Sequence, residues 1–150
     1  MKQWTKSIEI DVPIEEVWQY VDGDLDKMQQ IMPNVLSNTP VTVTENVVGS
    51  VFRQEYREGN RVEAYDVHVT EFINTPTHKE MKVAFTLAKL FDITAKYELT
   101  AINDTKTILT YTTSNKAVKW FVHMFLLFAS DKTVIKFVEH FKKVAESNRA

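Results

Sequence analysis

The chain has 150 residues, a length that suits one domain with a sizeable core. It is 25% charged with a net charge of −2, so its composition does not favour nucleic-acid binding, and the lack of cysteine excludes disulfides and thiolate catalysis. The N-terminus alternates polar and apolar residues, unlike a signal peptide, and the longest apolar run, residues 120–129, is shorter than the ~20 residues of a membrane span. We therefore expect a cytoplasmic protein with no transmembrane segment.

The chain begins with a predicted strand followed by two short helices. Residues 4–12 alternate apolar and polar side chains, which is typical of a strand with one buried face. Pro13 and the acidic pair Glu15-Glu16 favour the N-terminus of a helix, and Gly23-Asp24 ends it. Residues 25–32 predict a second short helix, which Pro33 stops.

The middle of the chain predicts about six further strands. Strand segments run from Val35 to Thr113, and turn signals separate them at Gly49, Gly59-Asn60, Asn74-Thr75-Pro76 and Asn103-Asp104. Short turns place consecutive strands side by side and antiparallel. The pattern therefore predicts a meander with one buried face.

The last segment, residues 116–148, predicts a long helix, because it lacks Pro and Gly and repeats apolar residues at helical spacing. One predicted buried stripe contains Val134, Phe137, Val138, Phe141, Val144 and Ala145, and residues 118–129 add a second apolar face. Two alternatives exist at Ser130-Asp131: a continuous helix with a polar pair, or a break at which Ser130 or Asp131 caps a second helix. A curved sheet wrapped on such a helix leaves a cavity between them.

Three stretches resemble a known superfamily: Ile8 to Val21 (IEIDVPIEEVWQYV), Val48 to Pro76, and Tyr97 to Thr113 followed by the long helix. They are similar to the START-like, or Bet v 1-like (SRPBCC), superfamily and, within it, to bacterial polyketide cyclase/dehydrase-like proteins. The resemblance implies an α+β helix-grip fold: a curved antiparallel sheet of about seven strands wrapped on a long C-terminal helix, with two short helices after strand 1. It also implies one ligand-binding domain over residues 1–150. One departure is Ile31, where many members have Trp before Met-Pro.

Aromatic residues on inward strand positions and on the last helix are the candidate ligand-binding residues. Buried phenols require hydrogen-bond partners and therefore often occur where a cavity holds a polar group, which makes the tyrosines the best candidates. The alternative for most of the set is a large core. The candidates are Tyr65, Phe85, Phe91, Tyr97, Tyr111, Trp120, Met124 and Phe128.

Two polar residues are candidates for a role inside the cavity. Glu71 falls in line with Val67, Val69 and Ile73, so it either faces inward with a raised pKa or is turned outward by a bulge. His123 lies in the apolar part of the last helix. The other histidines are predicted on wet faces or after a turn, no histidine pair has metal-ligand spacing, and no cofactor motif is visible, so we expect neither a metal nor a cofactor.

These patterns favour binding of a small hydrophobic or amphipathic molecule, such as a lipid, a polyketide or an aromatic metabolite, between the sheet and the C-terminal helix. One alternative is a polyketide cyclase or dehydratase that uses Glu71 or His123, although no assembled catalytic set is visible. Another is an interaction module whose apolar face, residues 118–129, contacts a partner, a membrane or a second copy in a homodimer.

Overall fold

The computed structural model describes residues 1–87, 90–117 and 131–149. Within them it has the α+β helix-grip architecture that the sequence predicts. The elements in chain order are β1 (Lys2–Ile10), α1 (Ile14–Asp22), α2 (Leu25–Ile31), β2 (Val35–Thr42), β3 (Val51–Glu58), β4 (Arg61–Asn74), β5 (His78–Leu87), β6 (Phe91–Asn103), β7 (Lys106–Ala117) and α3 (Lys132–Ser147).

The strands form one curved antiparallel sheet in the order β1-β7-β6-β5-β4-β3-β2. Strands β2 to β7 are a meander, and β1 pairs with β7 from Lys2↔Asn115 to Ile10↔Thr107. The predicted hairpin between β3 and β4 is confirmed, with Gly59 at a positive φ of 59° in its two-residue connection.

The first strand of the meander, β2, begins at Val35, where the sequence predicts the change to strands. It ends at Thr42, so that Val41 lies near its end and Val43, which the alternation included, lies beyond it. Both valines are exposed, because β2 is the edge strand of the sheet and nothing in the described part of the chain covers its end. An alternating pattern therefore did not mark a buried face here.

The core joins the concave face of the sheet to the three helices. The predicted stripe of α3 is confirmed: Val134, Val138, Phe141 and Ala145 are buried, and Phe137 and Val144 are partly buried against the core. Phe141 makes an edge-to-face contact with Tyr20 of α1, with ring centroids 5.7 Å apart. Helices α1 and α3 thus pack on each other as well as on the sheet.

A β-bulge in β4 decides which residues face the core. The pairing with β5 shifts between Val69 and Glu71, so that Phe72 points inward and contacts Trp18 at 5.8 Å between ring centroids. Ile73 is exposed, and its predicted inward position is therefore wrong. Glu71 is turned to the outer face, which is the second of the two predicted alternatives.

Helix α3 begins at Lys132. The Asp131 side chain makes no capping hydrogen bond, and its Oδ2 lies 3.6 Å from Nζ of Lys6. Ser130 and the apolar face at residues 118–129 lie outside the described residues. The prediction of a continuous or a broken helix falls on the same residues. Of the helices that the structure describes, none combines the length and apolarity needed to cross a membrane.

Candidate functional site

A cavity of about 190 Å³ lies between the concave face of the sheet and helices α1 and α2. The described residues around it are mostly apolar, and the polar ones are four tyrosines and a glutamine. They are Val21, Met28, Met32, Val35, Gln54, Tyr56, Tyr65, Val67, Met81, Val83, Phe85, Ile93, Ala95, Tyr97 and Tyr111.

A second cavity of about 170 Å³ adjoins the first, toward the α1–α2 turn. The two share lining residues Val21, Met28, Gln54, Val67, Met81 and Val83. Asp22 and Asn38 lie on the wall of the second cavity, so the space becomes more polar toward this end.

Strand alternation and register create the cavity floor. On β5 and β6, every second residue points to the concave face, and the pairs Val83↔Ala95 and Met81↔Tyr97 place inward residues side by side. Ala95 is the smallest residue of this floor. Its methyl group leaves space that a larger side chain would fill.

Aromatic rings form two groups in the wall. The rings of Tyr65 and Phe85 stack, with centroids 4.9 Å apart and an interplanar angle of 22°. Tyr111 contacts Tyr97 at 5.2 Å and Phe137 of α3 at 4.6 Å. The second group connects the cavity wall directly to the C-terminal helix.

The polar groups of the cavity differ in how well they are hydrogen-bonded. The Tyr65 hydroxyl donates to Oε1 of Gln54 at 3.2 Å, a normal partner. The Tyr97 hydroxyl points to Sδ of Met32 at 3.9 Å, and Nε2 of Gln54 points to Sδ of Met28 at 3.8 Å. Because a thioether is a weak acceptor, these two donors are only weakly satisfied.

Burial keeps the phenols of the cavity neutral. It raises the pKa of Tyr65 to about 12 and raises the pKa of Tyr97 and Tyr111 as well, because the charged phenolate loses its hydration in this apolar space. At physiological pH these three hydroxyls are therefore protonated and able to donate.

The structure brings together four of the predicted ligand-binding residues: Tyr65, Phe85, Tyr97 and Tyr111 line the cavity. Phe91 begins β6, is partly exposed and is not among the described lining residues. Trp120, Met124, Phe128 and His123 lie outside the described residues.

Glu71 is not a cavity residue, because the β4 bulge turns it to the outer face. Its side chain is 45% exposed and forms ion pairs with Nζ of Lys82 at 3.4 Å and Nζ of Lys96 at 3.7 Å. The inward position is therefore excluded. His68 and His140 are exposed as expected.

Sequence reasoning missed the part of the wall that comes from β3, α1 and α2. Phe52, Gln54 and Tyr56 are every second residue of β3 and therefore share one face of the strand. The two aromatic residues, Phe52 and Tyr56, could have predicted that this face points inward. The spacing of Met28 and Met32 places both on one side of α2 and its end, but nothing in the sequence says that this side meets the sheet.

Comparisons with known proteins agree with this architecture. A family model described as "Polyketide cyclase / dehydrase and lipid transport" matches residues 1–146. No curated protein sequence matches significantly.

Several solved structures share the fold. One is the di-domain ARO/CYC protein BexL from the BE-7585A biosynthetic pathway (12% identity, TM-score 0.75), where the match covers 99% of this chain and 48% of BexL. Norcoclaurine synthase from Thalictrum flavum, in complex with dopamine and hydroxybenzaldehyde, matches with 11% identity and a TM-score of 0.65 over 99% of this chain and 88% of its own. Ara h 8.0201 matches with 14% identity and a TM-score of 0.66 over 98% and 99%.

The TM-scores of these structures show a common Bet v 1-like fold, and at identities this low they show the fold alone. The family match, in contrast, covers nearly the whole sequence. The chain therefore belongs to the polyketide cyclase/dehydrase and lipid transport family.

Proposed function

We propose that this protein binds a small apolar or amphipathic molecule in the cavity between the sheet and the helices. The observation that carries the proposal is an apolar space lined by inward side chains, kept open over Ala95 and flanked by two groups of aromatic rings. Ligand sites of this kind are concave and mostly apolar, with a few polar groups that set orientation.

The size of the space indicates the size of the ligand. An engineered apolar cavity of about 150 Å³ is known to hold benzene, so about 190 Å³ suits a molecule of one or two rings. The adjoining cavity gives room for a substituent or a short chain. Apolar burial supplies the affinity at about 25 cal/mol per Å².

The properties of the family and of one relative support this proposal. The family description includes lipid transport, and the norcoclaurine synthase structure holds dopamine and hydroxybenzaldehyde, which are small aromatic molecules. Within this chain, the aromatic groups around Tyr65 and Tyr97 offer similar stacking surfaces.

The two residues on which the enzyme alternative depends give it no support. Glu71 lies on the outer face, and His123 is outside the described residues. The described lining of the first cavity contains Tyr and Gln but no carboxylate or imidazole, whereas Asp22, whose pKa is raised by burial, lies on the wall of the adjoining cavity.

A fluorescence titration with N-phenyl-1-naphthylamine, an uncharged apolar probe, tests the proposal. We expect a saturable increase in emission with a Kd of roughly 1–100 µM. Ala95→Leu should weaken binding by about 10-fold or more, because its three added carbon atoms occupy the cavity, at ~0.8 kcal/mol of lost burial per methylene. The matched control is Ala64→Leu on the exposed outer face of β4, which should bind as the wild type does.

Two results would contradict the proposal. One is a titration with no saturable signal. The other is equal binding by the Ala95→Leu and Ala64→Leu variants, which would place the probe elsewhere on the protein.

A further inference from the structure

The polar groups on the described wall of the first cavity are all uncharged, whereas Asp22 lies on the wall of the adjoining cavity. They are the hydroxyls of Tyr56, Tyr65, Tyr97 and Tyr111 and the amide of Gln54. Charged groups enter an apolar space only with a partner of opposite charge, and the described lining residues offer none. The enclosed end of a ligand is therefore expected to be neutral.

Two of these groups already satisfy each other. The Tyr65 hydroxyl donates to Oε1 of Gln54 at 3.2 Å, so neither atom requires a ligand. Nε2 of Gln54 points to Sδ of Met28 at 3.8 Å, which is a weak acceptor.

Among the described residues that line the first cavity, the Tyr97 hydroxyl is the most deeply buried donor without a strong acceptor. Tyr97 is 7% exposed, and the partner of its hydroxyl within the described part of the chain is Sδ of Met32 at 3.9 Å. A thioether accepts weakly, and the flexible methionine side chain is able to move aside. An oxygen atom of a ligand near this position would give the buried hydroxyl a normal acceptor.

We infer that the cavity selects uncharged ligands that carry a hydrogen-bond-accepting oxygen, best a carbonyl, which accepts from the Tyr97 hydroxyl. The inference rests on the proposed binding function and specifies the ligand class of the same site. A carbonyl fits better than a hydroxyl because it introduces no donor that requires its own partner in the apolar space. The Gln54 amide is a second available donor for the same class of group.

Three compounds of nearly equal shape separate the possible preferences: 2-acetylnaphthalene with a ketone, 2-isopropylnaphthalene with a hydrocarbon in its place, and 2-naphthoate with an anion. Their affinities are measured by displacement of N-phenyl-1-naphthylamine. We expect the ketone to bind roughly 3- to 10-fold tighter than the hydrocarbon, as one added hydrogen bond predicts. The anion should bind more than about 30-fold weaker than the ketone, because burial of a carboxylate is unfavourable.

Tyr97→Phe tests the assigned donor. This variant keeps the ring contacts with Tyr111 and Phe137 and removes only the hydroxyl. We expect it to bind the ketone no tighter than the hydrocarbon, with hydrocarbon affinity unchanged, because a buried carbonyl without a donor keeps its desolvation cost. Tyr20→Phe, a buried tyrosine of α1 that is not among the described cavity residues, is the control and should keep the preference for the ketone.

Each result is decisive. A ketone preference that disappears in Tyr97→Phe alone supports the inference. Equal binding of ketone and hydrocarbon by the wild type, a preference that survives in Tyr97→Phe, or an anion that binds as tightly as the ketone overturns it and leaves the proposed binding function intact. Failure of all three compounds and of the probe overturns the binding function itself.

Discussion

The stability of the Ala95→Leu variant distinguishes an open cavity from a filled core. Ala95 is buried on β6 and belongs to the cavity floor. Three more buried carbon atoms contribute about 2.4 kcal/mol at ~0.8 kcal/mol per methylene. Ordering the leucine side chain offsets about 0.5–1 kcal/mol of this. We therefore expect the free energy of unfolding to rise by about 1.5 kcal/mol, whereas overpacking a filled core would lower it by about 1–3 kcal/mol.

Urea unfolding followed by far-UV circular dichroism measures this change, because the midpoint shifts while the slope stays constant. For a chain of this length the gain corresponds to about 3–6 °C in Tm. Ala64→Leu on the exposed face of β4 measures the strand propensity of leucine alone and should change stability by no more than about 0.5 kcal/mol.

A second control comes from the tightly packed side of the core. Val138 of α3 is 3% exposed and does not line either of the two cavities, so Val138→Phe should lose about 1–3 kcal/mol through overpacking. If Ala95→Leu destabilises the protein as much as Val138→Phe does, the space over Ala95 is not open and the proposed site is refuted.

Three further predictions concern other parts of the account. Raising the pH from 10 towards 12 should lower the free energy of unfolding, because the pKa of the Tyr65 phenol is near its ordinary value of 10 in the unfolded chain and about 12 in the folded one. This contribution is complete below pH 10, and its loss amounts to about 1–2 kcal/mol after allowance for partial exposure. The pH profile of Tyr65→Phe should lack this loss, and a profile identical to that of the wild type would contradict the assignment. Glu71→Gln should change the affinity for N-phenyl-1-naphthylamine by no more than about 2-fold and the free energy of unfolding by no more than about 0.5 kcal/mol, because the carboxylate forms exposed ion pairs on the outer face. A large loss of probe affinity would indicate an inward carboxylate. Phe141→Ala should lower the free energy of unfolding by about 3–5 kcal/mol in urea titrations, because Phe141 is fully buried between α1 and the sheet, and a change below about 1 kcal/mol would contradict that packing.

The sequence predicts the order of elements well because each rests on a local signal. The alternation of β5 and β6 correctly placed Phe85 and Tyr97 on the same face, since a strand sends every second side chain to one side. Turn residues such as Gly59 marked where one strand ended and the next began. The inward tyrosines followed directly from these two signals.

The failures share a physical cause, which is that they depend on tertiary context. A bulge adds one residue to β4, so that the residues after it face the opposite side of the sheet from the one that the alternation predicts. No residue type near Glu71 indicates this bulge. Val41 alternates like a buried residue but lies at the sheet edge. Gln54 and Met28 meet at the cavity only because α2 docks on β3, a contact that no local pattern specifies.

Methyl-resolved NMR of the protein titrated with 2-acetylnaphthalene shows directly whether a small apolar molecule enters the cavity. We expect saturable shifts of the methyl signals of Met81, Val83 and Ala95 on the cavity floor, together with intermolecular contacts to the same groups. Methyl signals of the outer and edge surfaces, such as those of Ala64 and Val43, should stay in place. Unchanged cavity signals, or shifts confined to the exposed methyl groups, would show that the molecule does not enter the space between the sheet and the helices.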